Sequence, residues 1–140
     1  MTYNSSPIAP FLISWNITKQ CNLKCVHCYI DATGYSNDDE TAPEEALRFT
    51  DEIAGLAPGA MLILTGGEPL LRPDVYDIAS YAASKGLTVV LGTNGTLIDE
   101  RVIERLISCG VKGVGRSIDS TDAARHDAFR GMEGAWGLTV

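Results

Sequence analysis

Short apolar segments of strand length alternate with longer amphipathic segments, and this alternation limits the folds open to the chain more than any other feature. The run Ala60–Leu64 is continuously apolar, which is typical of a parallel strand buried on both faces. Each strand and the helix after it take about 25–30 residues, as in βα units. The predicted strands are Phe11–Thr18, Ala60–Leu64, Leu87–Leu91 and Val111–Ile118. We therefore predict an α/β protein with a parallel sheet and about four βα units.

Helix signals fill the segments between these strands. The first helix is predicted to open at Pro43, because proline is tolerated in a first turn. Its sheet-facing side is predicted from apolar residues at nearly helical spacing, namely Leu47, Phe49, Ile53 and Leu56. Further helices are predicted between Asp74 and Gly86 and over Ile98–Ile107, and a fourth is predicted to begin only near Val140.

Composition excludes several classes of protein. A chain of 140 residues with 45% hydrophobic content predicts a single domain that buries a core. The net charge of −7 argues against a nucleic-acid partner, because binding a polyanion calls for a basic patch. No apolar run approaches the roughly 18 residues of a membrane span, and no secretory leader is recognisable. Residues 1–10 are predicted to be a mobile arm, and the clustered thiols favour a cytoplasmic location.

Three cysteines are clustered directly after the first predicted strand, at Cys21, Cys25 and Cys28. Soft thiolates select iron–sulfur clusters, zinc or copper(I). Three thiolates are one short of a closed tetrahedral site, so two interpretations stay open at this point. Either His27 or Cys109 completes a zinc site, or the thiols are merely buried. Alternatively, the thiolates hold three irons of a 4Fe–4S cluster, whose fourth iron binds another molecule.

Polar and glycine-rich segments follow the other predicted strands as well. Gly66–Glu68, Thr93–Asn94 and Ser117–Asp119 each lie just after a strand. Singly, each segment is best explained as a turn or a helix cap. Parallel strands end at one edge of a sheet, and βα barrels build their active sites there. Together with the cysteines, these segments predict a functional site at that edge.

The order of these motifs resembles that of the radical S-adenosylmethionine (radical SAM) superfamily. The resemblance is to its SPASM-type branch, which includes enzymes of haem d1 and alternative haem biosynthesis, the pyrroloquinoline quinone enzyme and peptide maturases. It rests on Cys21-xxx-Cys25-xx-Cys28, Gly66-Gly67-Glu68-Pro69, Thr93-Asn94-Gly95-Thr96, Ser117-Ile118-Asp119 and His126-Asp127-x-Phe129-Arg130-Gly131. The resemblance implies the N-terminal portion of a partial (βα)6 TIM-like barrel, with residues 11–140 as an incomplete core domain.

The resemblance also implies a role for each motif. Cys21, Cys25 and Cys28 would ligate the 4Fe–4S cluster. The residues that would bind S-adenosylmethionine through its methionine amino group are Gly66, Gly67, Glu68 and Pro69. Other predicted contacts are His27 with adenine, Ser117 and Asp119 with ribose, and Thr93 and Asn94 with cofactor or substrate. Arg130 would be a substrate or cofactor contact, or a surface arginine.

The function implied is that of an enzyme that cleaves S-adenosylmethionine reductively to a 5′-deoxyadenosyl radical, which abstracts hydrogen from a substrate. Haem or tetrapyrrole biosynthesis is the first expectation, and maturation of a peptide or cofactor is the second. The partners expected are a small-molecule or peptide substrate and an electron donor such as ferredoxin or flavodoxin. A protein of another class, a non-catalytic iron–sulfur or zinc-binding module, is the alternative.

Two features depart from the family pattern. Arg116 is expected on the helix-facing side of the fourth strand, where a charge needs a partner or an outlet to solvent. The chain also stops at Val140, whereas a full barrel takes about 250 residues. The sequence therefore predicts part of a longer enzyme, inactive alone, whose fourth strand leaves an open edge that favours self-association.

Overall fold

The computed structural model describes residues 9–32 and 40–140, and within these residues four strands form one open parallel sheet. Most of the predicted N-terminal arm, residues 1–8, lies outside the described residues. A short 3-10 helix covers Pro69–Leu71. In chain order the other elements are β1 (Leu12–Thr18), α1 (Pro43–Leu56), β2 (Met61–Gly66), α2 (Val75–Ser84), β3 (Thr88–Thr93), α3 (Glu100–Ser108), β4 (Gly113–Arg116), α4 (Ala123–Arg130) and α5 (Ala135–Thr139).

The strands follow one another in the sheet in the order β1-β2-β3-β4. One row of paired residues crosses all four strands. Trp15 pairs with Leu64, Leu64 with Leu91, and Leu91 with Val114, and each pairing is parallel. The predicted parallel α/β sheet is thus confirmed. Because all the strands run the same way, the segments that follow them meet at one edge.

The core lies between the sheet and its helices. Leu62, Leu64, Val89 and Leu91 alternate along β2 and β3 and are completely buried. They belong to one apolar cluster with residues of α2, including Ile78. Burying each such side chain contributes about 1.5–3 kcal/mol, so these central strands hold the sheet edge in place.

The predicted sheet-facing side of α1 was wrong in part. Phe49 is 42% exposed and Leu56 is 65% exposed. The buried residues of α1 are instead Ala46, Thr50 and Ile53, whose mostly small side chains suit close packing of helix against sheet. Phe49 packs at the rim, edge-on against Trp15 with ring centroids 4.9 Å apart.

The end of the chain also differs from the prediction. β4 covers only Gly113–Arg116, consistent with the weakening effect of glycine in a strand. The next helix, α4, begins at Ala123 rather than near Val140. Asp122 caps α4 by accepting a hydrogen bond from the Arg125 backbone at 2.8 Å. Aspartate is a favoured N-cap residue, so the sequence itself carries a signal for the start of this helix.

The charged side chain of Arg116, which was expected to need a partner or an outlet to solvent, binds a backbone carbonyl group. Its Nη1 atom donates to the backbone oxygen of Thr139 at 2.7 Å, at the last turn of α5. A cation is favourable there, because the last carbonyl groups of a helix lack partners within the helix. None of the helices in the described ranges combines the length and apolarity that crossing a bilayer requires.

Candidate functional site at the strand ends

A cavity of about 470 Å³ opens at the sheet edge where the strands end. Most of the predicted site residues line it: Cys21, Cys25, His27, Cys28, Gly66, Gly67, Thr93, Asn94, Ser117 and Asp119. Arg130, which was expected to be a substrate or cofactor contact or a surface arginine, lines it as well. So do Gly92 and Arg116, which were not assigned to the site. Glu68 and Pro69 are not lining residues and are buried. Five separate segments of the sequence therefore converge on one space.

The glycines at the end of β2 bring this strand close to the start of the cysteine loop. Gly67 N donates to Thr18 O at 2.8 Å, and Glu68 N donates to Gln20 O at 2.7 Å. A Cβ atom on Gly67 would lie 2.2 Å from Gln20 O and 3.0 Å from the Cβ of Cys21. The resemblance assigned Gly66 and Gly67 to the binding of S-adenosylmethionine. The structure shows that the chain itself makes the closest approach.

Glu68 directs its carboxylate into the protein. The side chain is 0% exposed and lies between the ends of β2 and β3. Thr93 Oγ1 donates to this carboxylate, lying 2.8 and 2.9 Å from its two oxygens. Asn94 N donates to it at 2.9 Å and Leu70 N at 3.1 Å. Desolvation raises the pKa of Glu68, and these hydrogen bonds oppose that shift. Through these hydrogen bonds the Glu68 side chain connects the end of β2 to the end of β3.

Asn94 connects the end of β3 to the first cysteine. Its Nδ2 atom donates to Asn22 Oδ1 at 2.8 Å and lies 4.0 Å from Cys21 Sγ. The Cys21 sulfur also accepts a hydrogen bond from Leu23 N at 3.4 Å. Burial raises the pKa of the Cys21 thiol. The first cysteine is therefore held from two directions, by its own loop and by β3.

Asp119, just beyond β4, lies at the centre of a second group of polar residues. Its Oδ2 is 2.6 Å from Arg130 Nε, and its backbone nitrogen donates to His126 Nδ1 at 3.3 Å. His27 Nε2 lies 3.9 Å from the Asp119 carboxylate, and the His27 ring is tilted against Phe129 at 5.4 Å. Arg130 is only 7% exposed, so the interpretation of it as a surface arginine is wrong.

The positions of the three clustered thiols indicate what kind of group the cavity could hold. Cys21, Cys25 and Cys28 all line the same cavity, whereas Cys109 caps the end of α3 and packs against the core. Within residues 9–32 and 40–140, no three His, Cys, Asp or Glu side chains are close enough to hold a single metal ion. Thiols that surround a shared space suit a cluster of several atoms better than a closed zinc site.

Comparison with known proteins agrees with this arrangement. Residues 15–136 match the family model described as the Radical SAM superfamily. The chain therefore belongs to this superfamily, whose members are enzymes that use a 4Fe–4S cluster with S-adenosylmethionine. The predicted family and enzyme class are thereby confirmed.

Named relatives include both a haem-biosynthesis enzyme and a peptide maturase, the two kinds of enzyme expected from the sequence. The chain is 48% identical over 132 residues to the AdoMet-dependent heme synthase of Methanosarcina barkeri, a match covering 94% of this chain and 38% of that protein. It is 33% identical to the mycofactocin maturase MftC of Mycobacterium ulcerans, covering 94% of this chain and 35% of that protein.

A solved structure supports the fold. The structure of anSMEcpe with bound AdoMet superposes with a TM-score of 0.68 at 25% identity, covering 91% of this chain and 39% of that one. The predicted likeness to a partial TIM-like barrel is thus confirmed. The chain spans between 35% and 39% of the length of these three proteins.

Proposed function

We propose that this chain binds a 4Fe–4S cluster through Cys21, Cys25 and Cys28 and binds S-adenosylmethionine in the adjoining cavity. The observation that carries the proposal is the convergence of the three thiols, the glycines after β2 and the ends of β3 and β4 on one space. Held by these cysteines, a reduced cluster would supply one electron to break the carbon–sulfur bond of S-adenosylmethionine, which would give methionine and a 5′-deoxyadenosyl radical able to take hydrogen from a substrate. The protein contributes placement and electrostatics.

Each group of residues has a distinct part in this proposal. The backbone at Gly66–Gly67 and the residues after it bind the methionine amino group, with the buried carboxylate of Glu68 bracing that turn. Ser117 and Asp119 hydrogen-bond the ribose, and His27 contacts adenine. Thr93 and Asn94 serve mainly by holding other residues of the site. The Thr93 hydroxyl is directed to Glu68, and the Asn94 amide is directed to Asn22, with Cys21 Sγ 4.0 Å away.

We infer that the substrate is a haem-type tetrapyrrole whose side chains are modified. The 48% identity to a heme synthase favours this substrate class. The 33% identity to mycofactocin maturase favours the second candidate, which is maturation of a peptide or cofactor. An electron donor of the ferredoxin or flavodoxin type and a cytoplasmic location stay predictions, as does self-association through the edge of β4.

Anaerobic reconstitution tests the proposal. Wild-type protein should bind about four irons per chain and become brown. Because this chain is predicted to be inactive alone, activity is measured on the longer enzyme of which it is part. After chemical reduction that enzyme should convert S-adenosylmethionine to methionine and 5′-deoxyadenosine, detected by mass spectrometry. C25A should lose this activity, whereas C109A, which changes a cysteine outside the cavity, should keep it. A colourless protein with one zinc per chain would support a zinc-binding module instead.

Substrate class is tested in the same assay. An iron tetrapyrrole with carboxylate side chains should be altered in mass and should accelerate formation of 5′-deoxyadenosine. Unrelated short peptides should do neither. The reverse result would favour peptide maturation over tetrapyrrole chemistry.

A further inference from the structure

The end of α4 pairs with the cysteine loop through the backbone. Val26 N donates to Phe129 O at 2.9 Å, and Lys24 N donates to Arg130 O at 3.3 Å. Gly131 then turns the chain in the left-handed conformation, at φ 66°. A Cβ atom at Gly131 would lie 2.4 Å from Lys24 O, so only glycine permits this approach. The residues on either side of Cys25 are therefore fixed from outside their own loop.

The Arg130 side chain reaches the same cysteine. Its Nε atom pairs with the Asp119 carboxylate at 2.6 Å, and its Nη2 atom donates to Ser117 O at 3.1 Å. The hydrogen bond to Ser117 orients the planar guanidinium, whose Nη1 atom lies 3.8 Å from Cys25 Sγ. The contact of Nε with Asp119 is an ion pair without hydrogen-bond geometry. A buried arginine is costly without a partner, and Asp119 compensates its charge.

The three cysteines differ in what reaches their sulfur atoms. Cys21 Sγ has the neutral amide of Asn94 at 4.0 Å, and Cys28 Sγ accepts from the backbone of Ala32 at 3.3 Å. Among the described contacts, only that of Cys25 comes from an ionised donor. Hydrogen bonds to the sulfur ligands of iron–sulfur clusters help to set their reduction potential.

We propose that Arg130 is a positioning residue that holds the Cys25 thiolate on the end of α4 and raises the reduction potential of the cluster. This inference rests on the proposed function. Reduction adds negative charge to a cluster, and a cationic N–H donor directed at a ligand sulfur stabilises the reduced state more than the oxidised one. The His126–Gly131 motif thereby gains a role beyond ending a helix.

A redox titration of reconstituted protein tests the role of the side chain. R130Q keeps the shape and some hydrogen bonding but loses the charge. The ratio of reduced to oxidised cluster is read by electron paramagnetic resonance at a fixed potential near the wild-type midpoint. In R130Q this ratio should fall on the order of fivefold, which corresponds to one ordinary net hydrogen bond of about 1 kcal/mol. R125Q, on the exposed side of the same helix, should match wild type.

Several outcomes would overturn the inference. One is an R130Q ratio equal to those of R125Q and wild type, and another is weaker S-adenosylmethionine binding with an unchanged ratio, which would assign Arg130 to that cofactor. If R130Q does not retain a cluster, R130K, which keeps a cationic donor, is measured in its place and its ratio must stay closer to wild type than to a fivefold loss. A fivefold loss in R130K would overturn the inference. A wild-type protein that binds no cluster would instead defeat the proposed function.

Hydrogen exchange in cluster-free protein tests the backbone part independently. In G131A, the amides of Lys24 and Val26 should exchange several times faster than in wild type, because the added methyl group pushes the loop from α4. Amides in the centre of β2 should be unchanged. Equal exchange at Lys24 and Val26 in both proteins would show that α4 does not hold the loop.

Discussion

Cys21 and Cys28 lie at opposite ends of one short loop, but they differ in burial and in the residues that contact them. Cys21 is 8% exposed and lies against the glycine turn after β2 and Asn94 after β3. Cys28 is exposed, and its described hydrogen bonds run to Cys25 and Ala32 within the loop. The comparison teaches that the sheet sets the position of Cys21, whereas the position of Cys28 depends on local structure.

The largest effect is expected from G67A. Its Cβ would press on the backbone of Gln20 at 2.2 Å, where no flexible side chain can move away. We expect the cluster-free protein to lose about 3 kcal/mol of unfolding free energy, as overpacking against backbone does. Denaturant unfolding measures this loss. G55A is the matched control, because nothing lies within 4 Å of its added methyl group in α1. Equal stability of the two variants would contradict the close approach.

A moderate effect is expected from T93V. The change removes the hydroxyl that donates to Glu68 and accepts from Gly95 N at 3.0 Å. It leaves a buried carboxylate with one partner fewer, which costs about 1–3 kcal/mol. T88V on the same strand, at a half-buried position, should change the unfolding free energy little. If the two variants have the same free energy of unfolding, the hydrogen bonds of Glu68 do not connect β2 to β3.

A smaller effect is expected from pH, because hydrogen bonds to the ionised form oppose the desolvation of Glu68. The pKa of Glu68 is raised above its usual value of 4.5. The folded state therefore binds the proton more tightly than the unfolded state does. Relative to E68Q, wild type should lose unfolding free energy as pH rises from 4.5 to the raised folded pKa. A difference between the two proteins that is independent of pH would exclude this assignment.

The smallest effect is expected at the far end of the loop. Without a cluster, C28A should change the unfolding free energy by less than about 0.5 kcal/mol, as surface changes usually do. C21A removes a buried thiol and should cost about 1 kcal/mol or more. Thermal melts of the two variants measure the contrast. A greater loss in C28A would reverse the comparison between the two ends of the loop.

Much of the fold could be predicted from local patterns. The apolar run in β2 and the glycines that follow the helices indicated an α/β sheet, because burial and backbone freedom depend mainly on residue type. The prediction of the buried side of α1 was partly wrong, because it ranked residues by hydrophobicity alone. Phe49 and Leu56 are larger and more apolar than Ala46 and Thr50, so this ranking placed Phe49 and Leu56 in the core. Which side packs is decided by how closely the helix approaches the sheet.

The sequence by itself determined the chemistry of this protein: three thiols at a characteristic spacing, glycines and an acid after the second strand, and polar residues after the next two. Only the tertiary structure decided where those groups point. It turned the Glu68 carboxylate inward to Thr93 and brought Arg130 to Cys25. The reason is that spacing along the chain specifies which residues reach the sheet edge, whereas contacts between residues far apart in sequence exist only after the strands have paired and the helices have packed.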